Sequence, residues 1–189
     1  DFPKPVVMSD IYDLMDKGKI WTFELGRFGK GKNHHIITTE ESKEFIRLLL
    51  RNNPVYKSVT PIVDPYPYRN NPLPLKIDLD DKGCLKYEGY LSAWFMRMFA
   101  NGALKEVFGE YFDCLNFVPT SFNKEMDIFL THVTKVDSIE ILHKYTVIEL
   151  KRDKALEEDL SQLIQYENWL IRKLADGDSE MLQTVLVAF

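Results

Sequence analysis

Cysteine is scarce in this chain of 189 residues, in which only Cys84 and Cys114 occur. Two isolated cysteines do not make the disulfide framework of a small secreted domain, and their spacing matches no zinc-ligand pattern. The sequence also lacks a secretory h-region and any apolar run long enough to cross a bilayer. We therefore expect reduced thiols in a soluble, intracellular and cytoplasmic protein that has no membrane partner.

Positive charge is not in excess either, because the formal net charge is −5. Residues 1–86 carry 14 Lys and Arg against 12 Asp and Glu, whereas residues 87–189 carry 10 against 17. A module that only binds nucleic acid is normally basic, because neutralising phosphates drives its affinity. If the C-terminal half meets DNA or RNA, its acids need another purpose, such as holding cations.

A complete phosphate-binding loop is absent, although GRFGKGKN at residues 26–33 comes close to the pattern GxxxxGK[ST]. Asn33 stands where the pattern requires a hydroxyl group for Mg²⁺, and the β-branched run HHIITT follows where a helix would have to begin. We therefore exclude a nucleoside triphosphatase. The cations of this loop, Arg27, Lys30 and Lys32, are candidates for gripping a nucleic-acid backbone, and a flexible hairpin tip is the alternative.

The composition is sufficient for a real core, because 45% of the residues are hydrophobic and 13% are aromatic. Six prolines fall between Pro54 and Pro74, which indicates an extended connector. We predict a small N-terminal α+β module at residues 1–75, with its connector at 54–75, and an α/β domain at residues 76–189. Because the chain begins with Asp rather than Met and stops abruptly after an apolar stretch, we also expect it to be a fragment of a longer protein.

The second domain reads as helix, strands, helix and strand, which predicts a mixed sheet. EGYLSAWFMRMFANGALKEVFG predicts a helix that is interrupted near Asn101-Gly102. FDCLNFVPTS, EMDIFLTHV, SIEILH and KYTVIELKR follow as separate strand candidates. KALEEDLSQLIQYENWLIRKLADG predicts a long helix, and MLQTVLVAF predicts a buried last strand.

The candidate chemistry lies on two of these strands, where side chains alternate between the faces. If the strands pair as neighbours, Asp127, Glu149 and Lys151 converge at one end of the sheet. Two close carboxylates repel each other unless a cation lies between them, and hard oxygen ligands select Mg²⁺ or Mn²⁺. The lysine could then orient a water molecule for attack on a phosphodiester. A salt-bridged strand edge is the structural alternative.

This pattern resembles the PD-(D/E)XK nucleases, which carry an acid on one strand, Glu-x-Lys on the next and then a helix. The corresponding residues here are Asp127 and Glu149-Leu150-Lys151, and the Gln-xxx-Tyr pair Gln162 and Tyr166 is similar to the RecB-like branch. The run VIELKRDKA…QLIQY also looks like the catalytic domain of archaeal mismatch and flap endonucleases. The resemblance covers roughly residues 87–189, and it departs from the pattern where Glu125-Met126 stand in place of a proline.

The resemblance implies a restriction-endonuclease-like core and a Mg²⁺- or Mn²⁺-dependent nuclease that hydrolyses DNA, with RNA as an alternative substrate. Asp127, Glu149 and the Leu150 carbonyl would hold the metal, and Lys151 would assist the attacking water. In the functional interpretation, a glutamine and a tyrosine from the helix complete the site. Gln162 would position the substrate or a catalytic water molecule, and Tyr166 would pack or form a hydrogen bond beside the site. An ordinary place on the helix surface is the alternative for both.

Other residues extend the prediction. Glu88, at the start of a helix, is the candidate for an additional metal-binding acid, with Glu106 as the alternative. Arg152 and Lys154 are candidates for phosphate contacts, or for a solvated helix entrance. We expect Trp169 in the core rather than as a platform for base stacking.

Two further questions stay open at the level of sequence. A catalytically inactive nuclease fold, serving as a nucleic-acid-binding or assembly module, is the rival from a different functional class. The presence of both acids and the lysine counts against that rival. The N-terminal module would supply substrate grip, dimer contacts or docking, and a homodimer is one arrangement that the sequence allows.

Overall fold

The computed structural model of the protein describes residues 2–22, 35–56 and 77–188. The described residues form two compact units, of which the first comprises the segments up to residue 21 and from 39 to 77. The second unit comprises residue 22, residues 35–38 and everything from residue 78 onward. The predicted basic loop with Arg27, Lys30 and Lys32 lies outside the described residues. So do most of the connector and the predicted domain boundary, which stay predictions.

The described residues of the first unit form two helices, α1 (Met8–Asp16) and α2 (Thr39–Asn52). Each helix buries an apolar side chain, Ile11 in α1 and Leu48 in α2. The buried carboxylate of Glu41 accepts a hydrogen bond from the backbone N–H of Trp21 at 2.6 Å, which holds the segment after α1 against α2. Helical packing of this unit therefore relies on a polar contact as well as on apolar burial.

The second unit is an α/β structure with a four-stranded mixed sheet flanked by helices, as the element order predicts. The sheet order is β1-β2-β3-β4, with antiparallel pairing except between β3 and β4, which are parallel. Its elements are α3 (Glu88–Ala100), α4 (Lys105–Phe108), β1 (Asp113–Pro119), β2 (Glu125–Val136), β3 (Ile139–Leu150), α5 (Glu157–Lys173) and β4 (Leu182–Val187). The predicted helix interruption near Asn101-Gly102 is confirmed, because α3 ends at Ala100 and α4 begins at Lys105.

Two details of the predicted strands are wrong. SIEILH and KYTVIELKR are not two strands but one continuous strand, β3. It follows β2 through a two-residue turn, in which Asp137 and Ser138 adopt φ values of 48° and 72°, the conformation that a tight hairpin requires. The last strand, β4, is half-buried along its length rather than buried, because it lies at the edge of the sheet.

The two faces of the sheet carry different side chains, because strand residues alternate. One face presents Ile128, Leu130, Ile148 and Leu150 to the apolar side chains of α3 and α4, and together they form the main core. Full burial of each such side chain contributes on the order of 2 kcal/mol to stability. The opposite face carries the side chains at the odd-numbered positions of the same segments. α5 contacts this face through Gln162, and its buried residues are Leu163, Tyr166 and Leu170. Among the described residues, no helix is both long enough and apolar enough to span a membrane.

Candidate active site

The strand register brings the two predicted acids side by side. Ile128 pairs with Ile148 and Phe129 with Val147, so the next step of the antiparallel ladder sets Asp127 opposite Glu149. The backbone N–H of Leu150 donates a hydrogen bond to Asp127 Oδ2 at 2.8 Å. Both acids therefore lie at the same end of the sheet, on the face that α5 approaches.

Glu149 is the central group of this cluster, and only 2% of its surface is exposed. Its Oε1 accepts hydrogen bonds from Lys151 Nζ and from Gln162 Nε2, both at 2.8 Å. Its Oε2 is buried and has no hydrogen-bond partner among the described residues. A buried carboxylate oxygen without a partner costs free energy, so this oxygen is a position where a ligand would be stabilising.

Burial, together with the charge of Asp127, raises the pKa of Glu149 to about 7 against the opposing hydrogen bond from Lys151. Burial likewise raises the pKa of Asp127, and the hydrogen bond from Leu150 and the charge of Lys151 offset only part of this effect. Two neighbouring carboxyl groups are thus both disfavoured as anions. A cation between them would reverse this effect, because it favours the charged form of each.

Lys151 bridges Glu149 and the first turn of α5. Its side chain is 22% exposed, and Nζ lies 3.6 Å from Asp159 Oδ1 in addition to its hydrogen bond with Glu149. Burial lowers the pKa of Lys151, but Glu149, Glu88 and Asp127 together outweigh burial and raise it. The ammonium group therefore stays protonated at neutral pH, where it acts as a hydrogen-bond donor and a positive charge rather than as a base.

Gln162 and Tyr166 connect α5 to Glu149. They lie one helical turn apart, so their side chains share a face of the helix. Gln162 Nε2 is within 2.6 Å of the Tyr166 hydroxyl group, which donates in turn to the Glu125 carbonyl at 2.8 Å. Tyr166 is fully buried, and burial raises its pKa, so the hydroxyl group stays protonated. The alternative that Tyr166 is an ordinary surface residue is wrong, since its hydroxyl group lies inside this network.

Glu88 opens α3 and is exposed. Its Oε2 accepts a hydrogen bond from the backbone N–H of Arg152 at 3.2 Å, and its charge raises the pKa of both predicted acids. The Arg152 guanidinium group is held by Asp153, at 2.7 and 3.0 Å, and by the Lys86 carbonyl at 3.0 Å. These residues lie beside the cluster, but the guanidinium group already has protein partners.

Lys154 is exposed between β3 and α5, and it lies next to the cluster in sequence.

Glu106 lies in the short helix α4. It contributes no charge effect to the pKa of Asp127, Glu149 or Lys151, in contrast to Glu88. Of the two acids that the sequence offered as the additional one, the structure brings only Glu88 to the cluster.

The oxygen atoms present fit a divalent ion that keeps most of its water. Within residues 2–22, 35–56 and 77–188, no group of three His, Cys, Asp or Glu side chains is arranged to hold a metal ion, so Glu88 does not complete a three-acid site. Mg²⁺ is commonly bound by one or two carboxylates together with water and substrate phosphates. The unpartnered Oε2 of Glu149 and the half-buried carboxylate of Asp127 match that ligand set.

A groove of about 730 Å³ lies next to this cluster along α5, and the sequence did not predict it. Gln162 and Asp159 contribute to both the cluster and the groove. The expectation that Trp169 lies in the core is wrong, because Trp169 is half-buried and lines the groove. The lining residues of α5 recur every three or four positions, as one face of a helix requires. That spacing was the available sequence signal.

Comparison with known proteins does not assign the chain to a family or a function. No protein-family model, curated protein or solved structure matches the chain. The chemistry of the cluster therefore has to be inferred from its own residues.

Proposed function

We propose that the second unit is a metal-dependent nuclease with a restriction-endonuclease-like core, which hydrolyses phosphodiester bonds of DNA. The observation that carries this proposal is the buried carboxylate of Glu149, which has one unpartnered oxygen, an acid opposite it and a lysine bonded to it. A purely structural salt bridge explains Lys151 and one carboxylate oxygen. It does not explain why Asp127 and Glu149 are buried side by side at a cost in stability.

Each residue of the cluster has a distinct role in this proposal. Asp127, Glu149 and the Leu150 carbonyl would hold Mg²⁺ or Mn²⁺, and Glu88 would contribute a further negative charge beside them. When bound, such an ion polarises the phosphoryl oxygens and lowers the pKa of a bound water molecule. The Lys151 ammonium group would hold the attacking water in place and stabilise negative charge that develops on the phosphate.

The helix residues act indirectly. Gln162 and Tyr166 are positioning residues, because Gln162 holds the Glu149 carboxylate through a hydrogen bond and Tyr166 holds Gln162 in turn. Arg152 and Lys154 are proposed to contact the phosphate backbone near the cluster. For the guanidinium group, this contact would have to replace the one with Asp153.

The acidic balance of residues 87–189, with 10 basic against 17 acidic side chains, is consistent with this function when cations are bound. Bound divalent ions are the largest local charges in such a site, and they change its field from repelling phosphate to attracting it. We therefore expect DNA to bind near the cluster more tightly with a divalent ion than with a chelator.

Cleavage of plasmid DNA and of single-stranded oligonucleotides, with Mg²⁺, with Mn²⁺ and with a chelator, tests the proposal. We expect cleavage with either ion and none with the chelator, and we expect Asp127→Asn to lower the rate at least about 100-fold. Glu140→Gln is the matched control, because Glu140 is an exposed carboxylate at the far end of the same strand as Glu149.

Failure to cleave DNA with either metal would contradict the proposal. If nucleic acid is then bound but not cut, the inactive binding module becomes the better description. An RNA oligonucleotide of matched sequence distinguishes the two polymers, because faster cleavage of that strand would identify RNA as the substrate.

A further inference from the structure

The groove beside the acid cluster has a chemistry of its own. It runs along α5 and is lined by aromatic, cationic and amide side chains, among them Phe122, Lys124, Asp159, Gln162, Trp169 and Arg172. Its volume of about 730 Å³ lies within the range of small-ligand pockets, about 300–1,000 Å³. A space of this size can hold a few unpaired nucleotides.

The groove is continuous with the cluster at one end. Gln162 lines the groove and also donates to Glu149 Oε1 at 2.8 Å. Arg172 lies ten residues further along α5, which corresponds to about 15 Å at 1.5 Å per residue. A strand lying along the groove would therefore have one end at the acid cluster and the other end at a cation.

Along α5, the lining carries acids in the first turn of the helix and a cation in the last turn. Glu158 and Asp159 lie in the first turn of α5, where acidic side chains stabilise the helix N-terminus. Asp159 is also engaged, since its Oδ2 accepts from the Leu156 N–H at 2.8 Å and its Oδ1 faces Lys151. The cations Lys124 and Arg172 are exposed, and Arg172 lies in the last turn of the helix.

The aromatic side chains of the groove offer surfaces on which unpaired bases can stack. Trp169 and Phe122 are both half-buried and meet edge to face, with ring centroids 5.9 Å apart and an interplanar angle of 88°. Phe122 also stacks on Tyr166, at a centroid distance of 5.9 Å, which ties this pair to the network around Glu149. Aromatic side chains beside cations are the usual means of binding single strands without sequence preference.

We propose that this groove binds a single strand of nucleic acid and leads it to Glu149, so that the site acts on unpaired rather than duplex substrate. This inference rests on the proposed nuclease function and deepens it by naming the substrate form. Trp169 and Phe122 stack against bases, Lys124 and Arg172 contact phosphates, and the polar residues between them hold the strand. A duplex offers no free base face for this contact.

Binding of labelled oligonucleotides to the full chain tests this proposal without cleavage, if a chelator is present. Fluorescence anisotropy is measured with an oligothymidylate of about 12 nucleotides, with oligouridylate of the same length and with a duplex. We expect either single strand to bind at least about 10-fold more tightly than the duplex. The comparison of the two single strands shows whether DNA or RNA is the occupant.

Two variants locate the binding in the groove. Trp169→Ala should weaken single-strand binding about 10-fold, because one stacking contact is lost. Arg172→Gln should weaken it and lower the slope of log affinity against log salt by about 1, because one phosphate contact is lost. Arg97→Gln is the matched control, since Arg97 is exposed on α3, which covers the other face of the sheet, and it should leave binding unchanged.

The experiments distinguish failure of the groove proposal from failure of the nuclease proposal. If Asp127→Asn abolishes cleavage but retains single-strand binding, while Arg172→Gln raises KM and leaves kcat unchanged, both proposals stand. If Arg172→Gln and Arg97→Gln bind the strand equally, or if duplex binds as tightly as single strand, the groove proposal is overturned even when cleavage is observed. Because Arg172 is exposed, its variant decides the question even if Trp169→Ala does not fold.

Discussion

Gln162 on α5 donates a hydrogen bond to Glu149 on β3 at 2.8 Å, across the boundary between helix and sheet. The same nitrogen lies 2.6 Å from the Tyr166 hydroxyl group, which is bonded to the backbone of β2 through the Glu125 carbonyl. The orientation of the Glu149 carboxylate is therefore set by a helix residue 13 positions away in sequence. Gln162 and Lys151 both donate to Oε1, whereas Oε2 has no hydrogen-bond partner in the part of the chain that the structure describes.

Gln162→Leu should lower metal-dependent cleavage by about 10- to 100-fold, because it removes one of the two donors that hold Glu149 Oε1. The loss of that donor should also raise the pKa of Glu149, so the pH at which activity reaches half its maximum should move upward. Tyr166→Phe removes only the hydroxyl group and should give a smaller loss. The measurement is a pH profile of cleavage for each variant. A uniform decrease without a shift of the profile would indicate a structural role alone.

Glu149→Gln should stabilise the metal-free protein at alkaline pH. The pKa of Glu149 is about 7 in the folded protein against an ordinary value of 4.5, so the folded state binds the proton more tightly than the unfolded state does. The stability that this carboxyl group contributes is fully present below pH 4.5 and is lost as the pH rises through about 7. The loss in the free energy of unfolding is on the order of 3 kcal/mol, as follows from the difference between the folded and the ordinary pKa.

Thermal unfolding in the presence of a chelator, at pH 5 and at pH 8, measures this effect. The unfolding temperature of Glu149→Gln, relative to that of the parent, should be higher at pH 8 than at pH 5, because a neutral amide has no charge to bury. Glu140→Gln should unfold at the same temperature as the parent at both pH values, since Glu140 is exposed. An equal difference between Glu149→Gln and the parent at both pH values would contradict the raised pKa.

Mn²⁺ should raise the unfolding temperature of the parent at pH 8, because an ion that binds only the folded state stabilises it by mass action. At a concentration 100 times the dissociation constant, the gain is about 2.7 kcal/mol. Asp127→Asn should lose most of this gain, because it removes one of the two carboxylates. A gain of the same size in Asp127→Asn and in the parent would exclude Asp127 as a metal ligand.

Lys151→Ala should separate metal binding from cleavage. The variant lacks the ammonium group that would stabilise the attacking water and the developing charge, so we expect a loss of about 100- to 1,000-fold in the cleavage rate. Its stabilisation by Mn²⁺ should persist, because Lys151 supplies no metal ligand and its removal takes away a competing cation. The two readouts are a cleavage assay and a thermal unfolding curve on the same preparation. Cleavage at the parent rate would remove Lys151 from the catalytic residues.

Much of the second unit could be predicted because its patterns are local. The two-residue period of a strand shows that Asp127 faces the same way as Phe129, and Glu149 the same way as Val147, whichever strands surround them. Likewise, the spacing of Gln162 and Tyr166 shows that both lie on one face of α5. The hairpin turn at Asp137-Ser138 was missed because left-handed backbone at two residues leaves no mark on the hydrophobic pattern.

Other properties depend on residues that are distant in sequence. The sequence placed Trp169 in the core because it is large and apolar, whereas in the structure it meets Phe122 from the loop between β1 and β2 and lines the groove. The groove could not be predicted as a whole, because its walls come from that loop and from α5, and their separation in space is set by the packing of the sheet.

The sequence by itself determined which side chains share a face of β2, β3 and α5, because that depends only on the geometry of single elements. Only the tertiary structure decided that Asp127 lies opposite Glu149, that one oxygen of Glu149 is buried without a partner and that a groove ends beside it. The physical reason is that pairing register and burial are set by several elements packing together. The raised pKa of Glu149 follows mainly from that packing, because burial is its largest cause.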